Sequence, residues 1–461
     1  MLPVPPMSDQ RAYVEHVGTV GMRDETLPIP GAPRTEFDFP DTFDHSQIPL
    51  EKEEWPVIVI GSSMVGMSLQ LMLGFHGVKS LSFDRHPSTA TRTRAALFLL
   101  RSIEIFRQLS LEPALRAASA TNFDLDSGML LTTALAGGTV LGAVQESDAA
   151  RTAHATPCAR LWLTQDMYEP WVQERAGALG AQQRFGERVV WYAEDADGVL
   201  VVVQDGATRR CWKYRAAYLV ACDGGRSPTR RRERVEWRGP GVLGSNISIY
   251  FRADLTALLG SRAKYGVTYV VNPRIRAIWR LGDSGKAGFL VVMGVEGRDG
   301  FEPDSVSERE AREMFALALG RSVEGLDMEI EEISYYTSAA YNSDCFASKQ
   351  GKGRVFLAGD AAHVMPPTGG MGGNTGIQDA YNLAWKLALV VNGKASHGLL
   401  ASYNSERQRV AGFTVQQAYR RFVNRVLKDP KLGHMKEFPD DTVELGYRYP
   451  APDCRMFHFY L

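Results

Sequence analysis

The run Gly61-Ser62-Ser63-Met64-Val65-Gly66 stands between an apolar segment (WPVIVI) and an amphipathic one. Its spacing is that of a G-x-G-x-x-G turn with Ser63 in place of the middle glycine. At such a turn the backbone approaches a pyrophosphate, and the start of the following helix offers it N–H groups and a positive dipole end. Asp84 closes the next strand-like run, 23 residues after Gly61, where a carboxylate can accept from an adenosine ribose hydroxyl. Turn, helix, strand and acid together point to an adenine dinucleotide. The turn alone would fit any tight strand-to-helix connection in an α/β protein.

A second constellation narrows the choice of dinucleotide. Asp360 follows the strand-like RVFLAG and precedes AAHVMPPTGGMGGNTGIQDAYNLAWKLALVV, a proline-stiffened glycine loop opening a helix. An acid after a strand can accept from a ribityl hydroxyl. The turn Gly372-Gly373-Asn374 would aim backbone N–H groups and a helix N-terminus at whatever lies above it, an arrangement suited to negative charge on a reduced flavin ring.

These motifs need strands and helices to hold them. WPVIVIGSSMVGMSLQLMLGFHGVKSLSFDR reads as a βαβ unit. The stretch RTRAALFLLRSIEIFRQLSLEPALRAAS has helical period, as does LWLTQDMYEPWVQERAGALGAQ, and RVVWYAEDADGVLVVVQDG reads as a hairpin. AYLVACDGG is a strand entering a glycine turn. From about 240 to 340, strand-like segments surround one helical stretch, SEREAREMFALALG, and after 354 a strand leads into a long helical tract reaching about 427. The expected organisation is an irregular extension over 1–54, an FAD-type domain from 55–125, 155–238 and 340–427, a substrate-binding sheet domain from 126–154 and 239–339, and a tail over 428–461. The fold class is α/β: a Rossmann-like, three-layer, mostly parallel sheet with an inserted β-sheet domain and C-terminal helices.

Composition limits the remaining classes. The chain has 461 residues, 44% hydrophobic and 23% charged, with a formal net charge of -1. This is ordinary globular material without a field for nucleic acid. The basic run Arg230, Arg231, Arg232 and Arg234 reads as a solvated face. Cys158, Cys211, Cys222, Cys345 and Cys454 show no metal or redox spacing, so no metal is expected and reduced thiols in a cytoplasmic protein are. No apolar run has the length of a membrane span, and the N-terminus lacks the pattern of a secretion signal.

Taken in order, three motifs resemble the FAD-dependent aromatic hydroxylases, the group A flavoprotein monooxygenases of the para-hydroxybenzoate hydroxylase fold, closest to the phenol and polyketide hydroxylase branch. They are the turn at 61–66; a DG motif at Asp223-Gly224 with Arg226, Ser227 and Arg230; and a GD motif at Gly359-Asp360 with Ala361, Ala362, His363, Pro366 and Pro367. The resemblance runs from about 55 to 410. Relatives in that branch usually continue into a thioredoxin-like domain, which is not expected after Leu461.

The resemblance implies a non-covalent FAD site formed by Gly61, Ser63, Val65, Gly66, Asp84, Arg85, Arg94, Gln165, Asp223, Gly224, Gly359, Asp360, Pro367, Gly370, Gly372, Gly373 and Asn374. Asp84 would take the ribose and Asp360 the ribityl chain. Gly373 and Asn374 would lie beside the isoalloxazine, and Asp223 and Gly224 would serve both FAD and the nicotinamide co-substrate. From the residues alone, Arg94 also fits a solvated helix position, Gln165 a surface amide, and His363 a packed histidine beneath the proline turn rather than a proton shuttle. The implied reaction uses NADPH or NADH and O2, and delivers oxygen from a flavin C4a-hydroperoxide to a phenolic or polyketide-derived aromatic small molecule, as in secondary metabolism. Two alternatives stay open: a Baeyer–Villiger or epoxidising oxygenase, and a catalytically dead flavin-fold binding protein. No catalytic base is identified; Tyr250, Tyr265, Tyr269 and Asn272 interleave with apolar residues in the manner of sheet packing. The oligomeric state is open, a homodimer included.

Overall fold

The computed structural model describes residues 38–90, 97–145, 152–427 and 432–449. Strand β1 (Leu50–Ile60) runs into helix α1 (Met64–Phe75) and strand β2 (Ser80–Asp84). Val57, Ile58 and Val59 are wholly buried, as a strand covered on both faces must be. The regular structure opens at Leu50, five residues before the apolar texture does. Leu50–Glu54 are exposed and their place rests on backbone pairing, with Leu50 opposite Lys213 and Glu54 opposite Arg215, so no hydrophobic signal marked them.

Two short strands, β3 (Leu97–Phe98) and, further on, β6 (Leu161–Trp162), pair with each other. Between them come α2 (Leu100–Gln108), α3 (Glu112–Asn122), β4 (Met129–Thr132) and β5 (Val140–Gln145). The described part of the stretch read as helical in period is thus a short strand and two helices, and Pro113 in the first turn of α3 fits the break between the helices. Helix α4 (Gln165–Ala178) is followed by β7 (Ala181–Phe185), β8 (Glu187–Glu194), β9 (Val199–Asp205), β10 (Cys211–Ala221) and the short helix α5 (Pro228–Arg232).

The long strand β11 (Trp237–Ala253) is joined by β12 (Val267–Asn272), β13 (Ile275–Gly282), β14 (Ala287–Val295) and β15 (Arg298–Asp299). Helix α6 (Glu308–Leu319) starts at a capping box in which Ser307 and Glu310 satisfy each other's backbone N–H groups. Strand β16 (Met328–Ser343), β17 (Val355–Leu357) and β18 (His363–Val364) precede helices α7 (Met371–Val391), α8 (Ala401–Phe422) and α9 (Asp440–Leu445).

Seven strands form one sheet in the order β7-β2-β1-β10-β9-β8, with β17 also on β10. Its pairs β1–β2, β1–β10, β2–β7 and β10–β17 are parallel and β8–β9–β10 antiparallel. Nine strands form the other, in the order β18-β16-β11-β14-β13-β12-β4-β5, with β15 on β14. Alternation along its strands divides two packing layers. Ala277, Trp279, Leu281, Leu290 and Val292 pack on α6, whereas Tyr269, Ile278, Val291 and Met293 belong to a cluster reaching α8. The chain is a mixed α/β protein. Among the described residues no helix is long and apolar enough to cross a membrane.

Candidate active site

One cavity of about 1960 Å³ gathers the three motifs and the inner face of the nine-stranded sheet. Its volume exceeds the roughly 300–1,000 Å³ common for a single small ligand, leaving room for a dinucleotide and a second molecule. All the expected cofactor residues line it except Gly66, Gly359 and Arg94. Arg94 lies outside the described residues. The two glycines stand just behind the wall.

At Gly66 a Cβ would fall 1.9 Å from the Gly61 carbonyl oxygen, and at Gly61, whose φ is +96°, it would fall 2.4 Å from the Cys222 oxygen. Both positions therefore require glycine: the turn is pressed between the end of β10 and the start of α1. Ser63, the departure from the motif, has its hydroxyl in a polar cluster. Gln165 donates to Ser63 Oγ at 2.7 Å, and that hydroxyl faces Glu169 Oε1 at 3.4 Å. Glu169, fully buried on α4, also accepts from the Ala90 N–H at 2.8 Å. Burial pushes its carboxyl upward, against the bonds from Gln165, Ala90 and Ser63. Gln165 is thus a buried brace rather than a surface amide. Its i,i+4 spacing to Glu169 on α4 was the signal that could have found the latter.

Asp84 accepts from the Ser62 N–H at 2.7 Å and the His86 N–H at 2.9 Å. Two backbone bonds fix the carboxylate at the tip of β2, and an ionised carboxylate has about four lone-pair sites, enough to accept a sugar hydroxyl as well. Asp223 accepts from Thr229 through its hydroxyl (2.7 Å) and N–H (3.2 Å), while Oδ1 has no partner among the described residues. Burial raises its pKa. A buried acceptor edge beside a cavity suits a ligand donor. Asp360 presents an exposed carboxylate to the same cavity. The glycine cradle, the orphaned Asp223 oxygen and Asp360 together fit a flavin dinucleotide.

Asn374 has its side chain committed elsewhere. Its amide donates to the Leu97 and Gly370 carbonyls at 2.8 and 2.6 Å, and its Oδ1 accepts from the Leu99 N–H at 2.8 Å. It braces β3 against the N-terminus of α7, so it can reach a ring only through its backbone. His363 is fully buried and bonds Asp379 at 2.7 Å, matching the packed-histidine expectation. Asp379 also receives the Gly359 N–H at 3.1 Å and Arg407 Nε at 2.8 Å. Burial pushes this carboxyl up, but Arg407 and His363 outweigh it and hold it below its usual value. The network ties the GD loop to α7 and α8, and through Arg407 to Tyr449 at 2.9 Å.

Across the cavity, Val267, Tyr269, Ile278, Phe289, Val291 and Tyr336 form a mostly apolar, aromatic wall. Tyr250 packs on Phe289 at 5.4 Å and is not part of the lining, nor are Tyr265 and Asn272. Tyr336 and Arg280 were missed. Arg280 is 1% exposed, donates to the Gly266 carbonyl at 2.5 Å and lies 4.4 Å over the Phe123 ring. Burial lowers its pKa to about 9, with Asp166 opposing, so it remains a cation at neutral pH. Its place on the cavity face follows from alternation in IRAIWRL, where Trp279 and Leu281 face α6. The basic run is likewise not uniformly solvated: Arg230 is buried and stacks 3.9 Å from the Trp237 ring centroid.

A family profile described as an FAD binding domain matches residues 54–418. The 4-methyl-5-nitrocatechol 5-monooxygenase of Burkholderia sp is 39% identical, over 87% of this chain and 72% of that protein. The tetracenomycin B2 monooxygenase-dioxygenase of Streptomyces olivaceus is 33% identical, over 87% and 75%. Among solved structures, an aklavinone-11 hydroxylase in complex with FAD and aklavinone superposes with a TM-score of 0.79 at 29% identity, covering 87% of this chain and 75% of that one.

Proposed function

The chain belongs to the group A FAD-dependent aromatic and polyketide hydroxylases and is an FAD-dependent monooxygenase, and from that premise we propose that it hydroxylates a phenolic or polyketide-derived ring at the expense of NADPH or NADH. The observation that carries this reading is the single cavity in which the dinucleotide turn, Asp223, Asp360 and the aromatic sheet face all meet. Bound FAD would supply the chemistry that passes electrons from the nicotinamide to O2.

The protein's own work is placement. We assign the α1 turn to the pyrophosphate, Asp84 to the ribose, Asp223 and Asp360 to hydroxyl donors along the chain, and the backbone from Gly372 to Asn374 to the ring edge. The apolar wall of Tyr269, Ile278, Phe289, Val291 and Tyr336 would seat a flat ring and keep water from it. Arg280 would hold an anionic ring oxygen, favouring the phenolate form that attacks most readily. We further propose the division foreseen from the chain, with the parallel-paired sheet as the flavin domain and the nine-stranded sheet as the substrate domain.

The test is anaerobic reduction of the FAD-loaded protein by NADPH or NADH, followed by aerobic turnover with nitrocatechols and aromatic polyketides. Ring-stimulated nicotinamide oxidation and a product heavier by one oxygen atom are expected. A flavin that neither nucleotide bleaches would overturn the reading.

A further inference from the structure

We infer that the segment 435–449 is a clamp on the flavin site, with Glu444 and Tyr449 as positioning residues that hold the two loops assigned to the flavin. The inference rests on the assignment of the backbone from Gly372 to Asn374, and of Asp360, to that cofactor.

Helix α2 begins at Leu100, and the Leu99 side chain at its cap offers no acceptor for the first N–H groups. Glu444 on α9, 4% exposed, supplies one from 344 residues away. Its carboxylate accepts from the Leu100 N–H at 2.9 Å and from Arg160 Nη2 and Nε at 2.6 and 2.9 Å. Arg160 leads into β6, which pairs with β3, so one carboxylate ties both short strands. The preceding N–H, that of Leu99, goes to Asn374 Oδ1 at 2.8 Å, and the Asn374 amide holds the Leu97 and Gly370 carbonyls. Adjacent peptides of one strand-to-helix turn thus join α9 to the first turn of α7, where Gly372, Gly373 and Asn374 line the cavity. Asp440, at the start of α9, pairs with Arg421 of α8, and the Arg421 guanidinium fills the space that a Cβ on Gly369 would need.

The second arm reaches the GD loop. Arg407, wholly buried on α8, donates to Tyr449 Oη at 2.9 Å, to Asp379 at 2.8 Å and to the Thr375 carbonyl at 3.1 Å. Asp379 in turn accepts from the Gly359 N–H at 3.1 Å, beside Asp360. Other contacts anchor the segment to α8 and the residues after it. Gln417 exchanges hydrogen bonds with the backbone of Phe438, and Asn424 with that of Met435. Neither Gln417 nor Asn424 lines the cavity, so attachment and positioning fall to different residues.

A ring site made of backbone N–H groups depends on their aim, and productive geometry tolerates an error of roughly 0.5 Å. Neither flavin-facing loop is fixed by its own sequence alone. Val443 adds apolar contact to the same end, in one cluster with Leu99, Met371 and Tyr269.

The experiment measures the FAD dissociation constant and the visible circular dichroism of the bound flavin, with apoprotein melting temperatures alongside. Glu444→Ala should weaken FAD by about tenfold, the scale of a lost buried charge-assisted acceptor, and alter the dichroism. Glu444→Gln keeps an acceptor for Leu100 and should recover most of the affinity. Tyr449 is 38% exposed, so Tyr449→Phe removes one hydrogen bond without disturbing the core, and should cost about threefold in FAD affinity. Asn424→Ala should lower the melting temperature and leave both flavin readouts unchanged. Combining Glu444→Ala with Asn374→Ala should cost less than the sum of the two, because both act on one turn.

A Glu444→Ala protein that melts earlier yet binds FAD with unaltered affinity and dichroism overturns the proposal, as does an Asn424→Ala protein whose flavin changes in the same way. If Glu444→Ala does not fold, unaltered FAD binding by both Glu444→Gln and Tyr449→Phe has the same force. If the flavin readouts shift as expected but neither nicotinamide nucleotide bleaches the flavin of the unsubstituted protein, the reaction reading falls and the clamp stands.

Discussion

The two walls of the cavity are built on different terms. The wall from β1, α1 and the GD loop works mainly through backbone: glycines at 61 and 66 where a Cβ would collide, and N–H groups of Ser62 and His86 that fix Asp84. The wall from β12, β13, β14 and β16 works through side chains, with Tyr269, Ile278, Arg280 and Tyr336 set by strand alternation. Backbone recognition tolerates little change and leaves a motif. Side-chain recognition can be rewritten residue by residue, which lets one scaffold take different rings.

The sharpest way to break this contrast is Gly66→Ala. With a Cβ 1.9 Å from the Gly61 oxygen, the turn must open, at a cost of about 3 kcal/mol in stability. The purified variant should be largely colourless, and a normal flavin spectrum and melting curve would show that the backbone wall is not so constrained. Arg280→Met tests the opposite wall. It should keep its flavin absorbance while weakening a phenolate ligand by about 1.5 kcal/mol, roughly tenfold, as read by titration; loss of flavin instead would erase the division of labour.

The smallest effect expected is a pH dependence from Asp223. Its folded pKa is raised above the ordinary 3.8 by burial, so the folded state holds the proton longer than the unfolded one. Its contribution to stability is fully present below about 3.8 and is lost as pH rises through the elevated folded value. Asp223→Asn keeps the Thr229 acceptor and should flatten that part of the apoprotein's stability profile. Urea midpoints from pH 4 to 7 that fall in parallel for both proteins would refute the assignment.

How much of this was legible depended on the kind of interaction. The α1 turn, Asp84 and Asp360 could be read because close approach and chain reversal demand particular residues at fixed spacing, whereas Asp223-Gly224 was marked only by the resemblance to the hydroxylase family. Glu169 could be reached only through its helical spacing from Gln165, and Arg280 only through alternation, and neither pattern says what lies opposite. Asp379 had no local signal at all. Its partners Gly359 and His363 come from the GD loop and Arg407 from α8, and the pairing exists only once α7 and α8 pack.

By itself, then, the chain determined its elements and the dinucleotide turn, since period, glycine and acid act over a few residues. Tertiary structure alone decided which way side chains were spent: Ser63 and Gln165 on Glu169, Asn374 on β3, Arg230 on Trp237. It likewise decided that a buried cation, Arg280, faces the same cavity as Asp360. Such choices depend on contacts between residues far apart in the chain, whose energies exist only when the two sheets are brought together.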